Sequence, residues 1–240
     1  MKKSLFLFIL AISIGIYTIG QTVLISPTGD GGFENGNTLA LNNWTAVTNQ
    51  ISDIDTWVVG SVPGVSAGTY CGYVTSNSGT SWSYSEVGYP GSSSIIHLYH
   101  NVTFPAGESV AVISFKWKAQ GEGTGANDAD NMKVFFTPST VNPQGSSAVS
   151  SAYQVGANSY NLSSAVWNTA NNITVTGTPG STYRLIFSWY SNSSTIVNPP
   201  AALDEISFTS YIPVAANAAP INFTSTSVTG SSMTIGWTDN

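Results

Sequence analysis

The chain has 240 residues, of which 42% are hydrophobic and 12% aromatic, with six basic against twelve acidic side chains and a net charge of −6. That balance excludes nucleic acid and anionic membrane surfaces as expected partners, and the aromatic and β-branched content excludes a disordered chain. The single cysteine, Cys71, excludes an intramolecular disulfide, so an exported chain must rely on a large core.

Residues 1–20 read as a signal peptide. Lys2 and Lys3 precede an apolar run over 5–16, and Thr18 and Gly20 are small enough for cleavage before Gln21. The run is shorter than the ~20 residues a bilayer span needs. No later segment could span, so the mature chain is expected to start at Gln21 as a secreted or outer-surface protein. Without the two leader lysines, four basic residues remain against twelve acidic, a net of −8.

From there the pattern has period two, with β-branched and aromatic residues bounded by Gly, Pro, Asn and Ser. Strands are expected at 56–60, 70–76, 94–104, 111–117, 131–137, 172–177, 182–190 and 203–210, with turns between them such as FPAGE and TPGST. In AVISFKW, Ala111, Ile113, Phe115 and Trp117 share one face. In TYRLIFSWY, Tyr183, Leu185, Phe187 and Trp189 do the same. Many short strands over about 190 residues predict an all-β fold, an antiparallel jelly-roll β-sandwich over 21–210. A Pro/Ala/Asn-rich linker follows at 211–219. Residues 220–240 hold two strand-like runs around a Thr-Gly-Ser-Ser turn and resemble the opening of a fibronectin type III module, with Trp237 as its core tryptophan. So short a piece is not expected to fold alone, and the sequence reads as part of a longer chain.

The segments GGFENG (31–36) with NNWT (42–45), DIDTWVVG (53–60), HLYHNVTFPAG, SFKWKAQGEG and NPPAALDEISF together resemble MAM-like and carbohydrate-binding jelly rolls. Nearest are the anchor-type modules of secreted Bacteroidetes surface proteins, which are linked to fibronectin type III repeats. The resemblance implies a structural calcium ion held by the first-strand Glu34 and the last-strand Asp204, a pairing whose chemistry suits a hard cation served by carboxylates and turn carbonyls. The alternative is that Glu34 caps a turn and Asp204 bonds backbone amides. Glu205 stands where such modules carry Asp or Asn.

Other acidic residues read as solvated: Glu122, Asp128 and Asp130 in a hairpin loop without EF-hand spacing, and Asp53 and Asp55 before Trp57. GVSAG matches a nucleophile elbow around Ser66, but a strand follows where the motif needs a helix. His97 and His100, three apart on a strand, face opposite sides and do not share a metal simply. GEGTGA lacks a third glycine and a helix. No catalytic constellation emerges, and the expected function is a non-catalytic binding or adhesion module for glycan or protein ligands, monomeric within a multidomain chain. The alternative is an accessory module of a secreted hydrolase. Trp44, Trp57, Trp117, Trp167 and Trp189 read as core. Trp82, Tyr84 and Tyr89, among Ser and Gly in a loop with Glu86, are the candidate sugar-stacking residues, against the plainer reading that Trp82 plugs the end of the sandwich.

Overall fold

A computed structural model describes residues 20–48, 54–85, 94–123, 130–163, 166–191, 196–213, 221–229 and 232–238. The leader up to residue 19, the 211–219 linker beyond Pro213, Tyr89, Glu86, Asp53 and Asp128 therefore lie outside the described residues. The first eleven strands are β1 (Gln21–Ile25), β2 (Trp44–Val47), β3 (Thr56–Gly60), β4 (Cys71–Thr75), β5 (Ser94–Thr103), β6 (Val110–Lys118), β7 (Asn131–Pro138), β8 (Gln154–Tyr160), β9 (Asn168–Thr176), β10 (Thr182–Ser191) and β11 (Ala202–Tyr211). Every ladder among them is antiparallel. One sheet runs β3-β4-β11-β6-β9, with β1 also on β11, and the other runs β2-β5-β10-β7-β8. The fold is the expected β-sandwich. The last two strands, β12 (Ile221–Thr229) and β13 (Ser232–Thr238), pair antiparallel as a separate hairpin.

The period-two faces are where alternation places them. Ala111, Ile113 and Phe115 of β6 and Leu185, Phe187 and Trp189 of β10 are buried between the sheets. Edge-to-face ring pairs cross this interior, with Phe115 to Phe187 at 5.1 Å and Phe104 to Phe208 at 6.1 Å. Such pairs add to the hydrophobic effect of area removal. The outer face of the second sheet is covered as well. Phe135 and Ile186 bury Val149 from the segment that follows β7. His97, fully buried, holds this segment through Nε2, which faces the Gln144 and Ser147 carbonyls at 3.0 and 3.2 Å, while Nδ1 meets the Ser188 hydroxyl at 2.7 Å.

Three strands were not foreseen. β1 abuts the leader, β2 is four residues long, and β8 reads QVGANSY with little alternation. β1 lies along the C-terminal half of β11, pairing Gln21 with Tyr211. The start of the sandwich and its end thus run side by side.

Candidate functional site

Two places concentrate polar chemistry. The first is the corner formed by GGFENG. Ser26 and Gly31 donate their amides to Asp30 Oδ1 at 2.8 and 3.0 Å, and the Ser26 carbonyl accepts from Gly29 and Gly31, which coils the chain tightly. Phe33 takes a left-handed φ of +59° and is fully buried, its ring lying against Gly72 of β4 so closely that any Cβ there would sit 2.5 Å from Cζ. A residue with positive φ and a bulky ring is held only when its surroundings over-determine it. On β11 the register slips between Asp204 and Ser207, with Glu205 at φ +48°. This bulge lets Leu203, Ile206 and Phe208 all face inward, and it leaves Asp204 bonded to the 61–70 loop.

Glu34 and Asp204 do come to one region, but each binds the loop rather than a shared centre. Glu34 Oε1 accepts from the amides of Thr69 and Tyr70 at 2.7 and 2.9 Å. Asp204 Oδ2 accepts from Ser66 and Ala67 at 2.7 and 3.2 Å, and Oδ1 from Glu205 at 2.7 Å. Burial pushes the Asp204 carboxyl above its ordinary range, against the three amides that favour its charged form. A calcium ion needs oxygen lone pairs turned toward it, whereas both oxygens of Asp204 and one of Glu34 already face N–H donors. As placed, the pair does not fit calcium. The arrangement is the alternative reading of the sequence, carboxylates bonded to backbone amides. Among the described residues no three His, Cys, Asp or Glu side chains gather into a metal-holding group.

A third charge completes this loop clamp. Lys118 is 3% exposed and donates to the carbonyls of Pro63 and Gly64, with its ammonium over the rings of Trp82 (4.8 Å) and Trp167 (4.4 Å). Burial lowers its pKa. Cys71 packs beneath the same cluster, and burial, with Asp204 nearby, raises its thiol to about 12, so it is an inert apolar residue. Trp82 is thus half-buried against Lys118 and the Cys71–Tyr73 pair. Tyr84 is 3% exposed; its hydroxyl donates to Asp130 and accepts from the Val197 amide at 2.8 Å, and its ring meets Trp189 edge-on. Its ring has no free face for a ligand. Asp55 and Asp130, expected in solvent, are 1% and 0% exposed, because each caps a buried turn or hydroxyl, Asp55 through Ser85 and Asp130 through Tyr84.

Ser66 has no histidine base. Both histidines of the chain lie on β5 on opposite faces, as the spacing requires; His97 is engaged as described, and His100 bonds the Asn101 carbonyl at 2.8 Å and Asp30 Oδ2 at 3.1 Å. His100 also borders a polar hollow of about 490 Å³ beside β2, but the Trp44 indole there is 2% exposed with its N–H given to the Asp30 carbonyl.

The second place is a cleft of about 400 Å³ where the two sheets part, between their edge strands β8 and β9. Trp117, Tyr160 and Ile173 give it an apolar floor, and Ser159 and Asn171 are on its rim. The Trp117 and Tyr160 rings meet edge-on at 5.2 Å. Trp117, expected to be core, does pack against the buried cluster. It is only half-buried, because β9 is the last strand of its sheet and no further strand covers the indole. Alternation alone does not show which strand lies at an edge, and the one available cue was the weakly alternating, glycine-bearing β8.

No family model matches the sequence, and the comparison with curated proteins found no match. Solved structures of similar shape include the CBM22-1 xylan-binding domain of Xyn10C from Paenibacillus barcinonensis (15% identity, TM-score 0.43, 82% of this chain and 99% of that one). TmCBM61 in complex with β-1,4-galactotriose is another (13%, 0.40, 76% and 97%), as is a cyclase from Fischerella sp. TAU (12%, 0.46, 82% and 100%). At these TM-scores a carbohydrate-binding module and a cyclase rank alike, so function rests on the cleft.

Proposed function

We propose that this chain is an exported, non-catalytic binding module that takes a glycan in the cleft between β8 and β9, in keeping with its resemblance to anchor-type jelly rolls. The observation that carries the reading is the half-buried Trp117 indole, set beside hydroxyl and amide side chains in an open trough. A sugar ring has one face of C–H groups and an equator of hydroxyls, and an aromatic floor with a polar rim complements both. Trp82, Tyr84 and Tyr89 are not needed for this role, and the Trp82–Lys118 contact serves the loop clamp.

The test is calorimetry and affinity electrophoresis against soluble polysaccharides. Trp117→Ala is expected to weaken binding at least tenfold, as removal of a central aromatic does. Trp117→Phe keeps a ring, so it guards against a folding defect and is expected to lose less. Retention unchanged in both variants would overturn the placement of the site.

A further inference from the structure

The donors of the cleft stand differently from those of Trp44, Trp57, Trp82 and Trp189. Trp57, Trp82 and Trp189 have their indole nitrogens sealed inside without a partner, and Trp44 gives its N–H to the Asp30 carbonyl. The Trp117 nitrogen is neither sealed nor bonded to a protein acceptor among the described residues. Its neighbour Tyr160 accepts the Ala157 amide at 3.0 Å, which occupies a lone pair and leaves the phenolic proton uncommitted. Burial raises the Tyr160 pKa, so that proton is retained at neutral pH. The oxygen lies against Gly156, where an added Cβ would meet it at 2.2 Å, and Gly156 lines the cleft. Both residues line the same trough, Trp117 half-buried and Tyr160 4% exposed, and neither donor has a protein acceptor among the described residues.

Charge is excluded from the trough by strand alternation. Lys116 and Lys118 flank Trp117 in sequence, but side chains on a strand alternate, so both point to the other face of β6. There Lys116 donates to Thr169 Oγ1 at 2.8 Å, and Lys118 is held by the Pro63 and Gly64 carbonyls. Among the described residues no Asp, Glu, Lys, Arg or His lines the cleft, and the chain is acidic overall.

Resting on the glycan reading above, we infer that the cleft selects neutral glycans and reads their acceptor oxygens through Trp117 Nε1–H and the Tyr160 hydroxyl. A uronate or sulfate would enter an acidic protein whose nearest cation, Lys116, is spent on Thr169 from the other face of β6, and so is disfavoured. Tyr160 sets specificity, because it is the donor whose direction the Ala157 amide fixes.

The experiment uses the full chain in affinity electrophoresis and calorimetry against neutral polymers (xylan, β-glucan, galactan, mannan) and anionic ones (polygalacturonate, alginate, dextran sulfate). It is run at about 50 mM and about 500 mM salt, which spans strong to weak screening. Expected is retention by at least one neutral polymer, unchanged by salt, and no retention by the anionic set. Tyr160→Phe, which keeps the ring and its contact with Trp117, is expected to lower that affinity about threefold to tenfold, as loss of one neutral hydrogen bond does. Gly156 and Ala157 are near the surface, so water takes the freed amide and the melting point serves as the folding control. Retention by anionic polymers that fades with salt, or neutral binding untouched by Tyr160→Phe, would overturn this inference while leaving glycan binding in place. Retention by neither set would overturn the glycan reading itself.

Discussion

Asp204→Ala tests whether backbone amides, and not a cation, satisfy the carboxylates where the ends of the sandwich meet. Asp204 is 1% exposed and accepts three amides, two of them from the 61–70 loop. Removing it leaves those donors without acceptors in a largely buried setting, at roughly 1–3 kcal/mol each before relaxation, so about 3–5 kcal/mol in total is expected. For a domain of this size each kcal/mol moves the melting temperature by roughly 2–4 °C, so the loss is about 6–20 °C. Asp204→Asn keeps one accepting oxygen but turns an NH2 toward another donor, and is expected to lose less. The assay is thermal unfolding of the full chain in excess chelator and in about 1 mM calcium. A site with a dissociation constant near 10 µM would be occupied a hundredfold above it, adding about 2.7 kcal/mol, or roughly 5–11 °C. The amide arrangement predicts no such rise. A calcium-dependent rise of that size, abolished by Glu34→Ala, would refute the amide account, as would an Asp204→Ala variant that melts like the parent.

Gly31→Ala places a Cβ 1.8 Å from the Ile206 carbonyl oxygen and strains the Ile206 amide bond to the Gly31 carbonyl (2.9 Å); a loss of about 3 kcal/mol or more is expected in urea titration. His97 is held below its ordinary pKa of 6.5 chiefly by burial, against the Gln144 and Ser147 carbonyls that favour its charged form. A depressed histidine contributes stability that is present above 6.5 and is lost as pH falls through the lowered pKa. Hydrogen-exchange protection in 139–150, taken relative to the intrinsic rate at each pH, is therefore expected to fall on acidification below about pH 6.5, and this dependence should flatten in His97→Gln. Lys118→Met keeps the stem against Trp82 and Trp167 and removes a buried charge along with its two carbonyl bonds. A change within about 1 kcal/mol is expected, whereas Lys118→Glu, facing two carbonyls and Asp204, should cost about 3 kcal/mol or more by chemical denaturation.

The fold was legible wherever a strand had one dry face. Eight of the expected strands are present within a few residues, because TYRLIFSWY and AVISFKW carry their packing in the alternation itself. β1, β2 and β8 were not legible, since β2 is four residues long and β1 and β8 show little alternation. The bulge on β11 did leave a trace. Leu203, Ile206 and Phe208 can all be inward only if one residue is extra, and the apolar spacing of three then two says so. Site residues were harder to read because burial of a polar group depends on distant partners. Tyr84 sits among serines yet finds Asp130, 46 positions away, and Asp204 finds Ser66, 138 away. Trp117 was legible in part: its core-facing side was read correctly and it packs on the cluster, but its partial exposure at a sheet edge is a property of sheet order, which no local pattern carries.

The end of β6 joins the two polar sites of this protein. Over Lys116, Trp117 and Lys118 the strand presents a cation outward, an indole inward and a second cation outward. Each outward lysine is tied down, one to β9 through Thr169 and the other to the clamped loop through Pro63 and Gly64. With both neighbours fixed, the backbone of Trp117 has little freedom, so under the proposed glycan reading the indole would meet a ligand already in place and less ordering entropy would oppose binding. The clamp at the GGFENG corner and the floor of the cleft are then parts of one device. Asp204 and Glu34 hold the loop, the loop holds Lys118, and Lys118 holds the strand that aims Trp117.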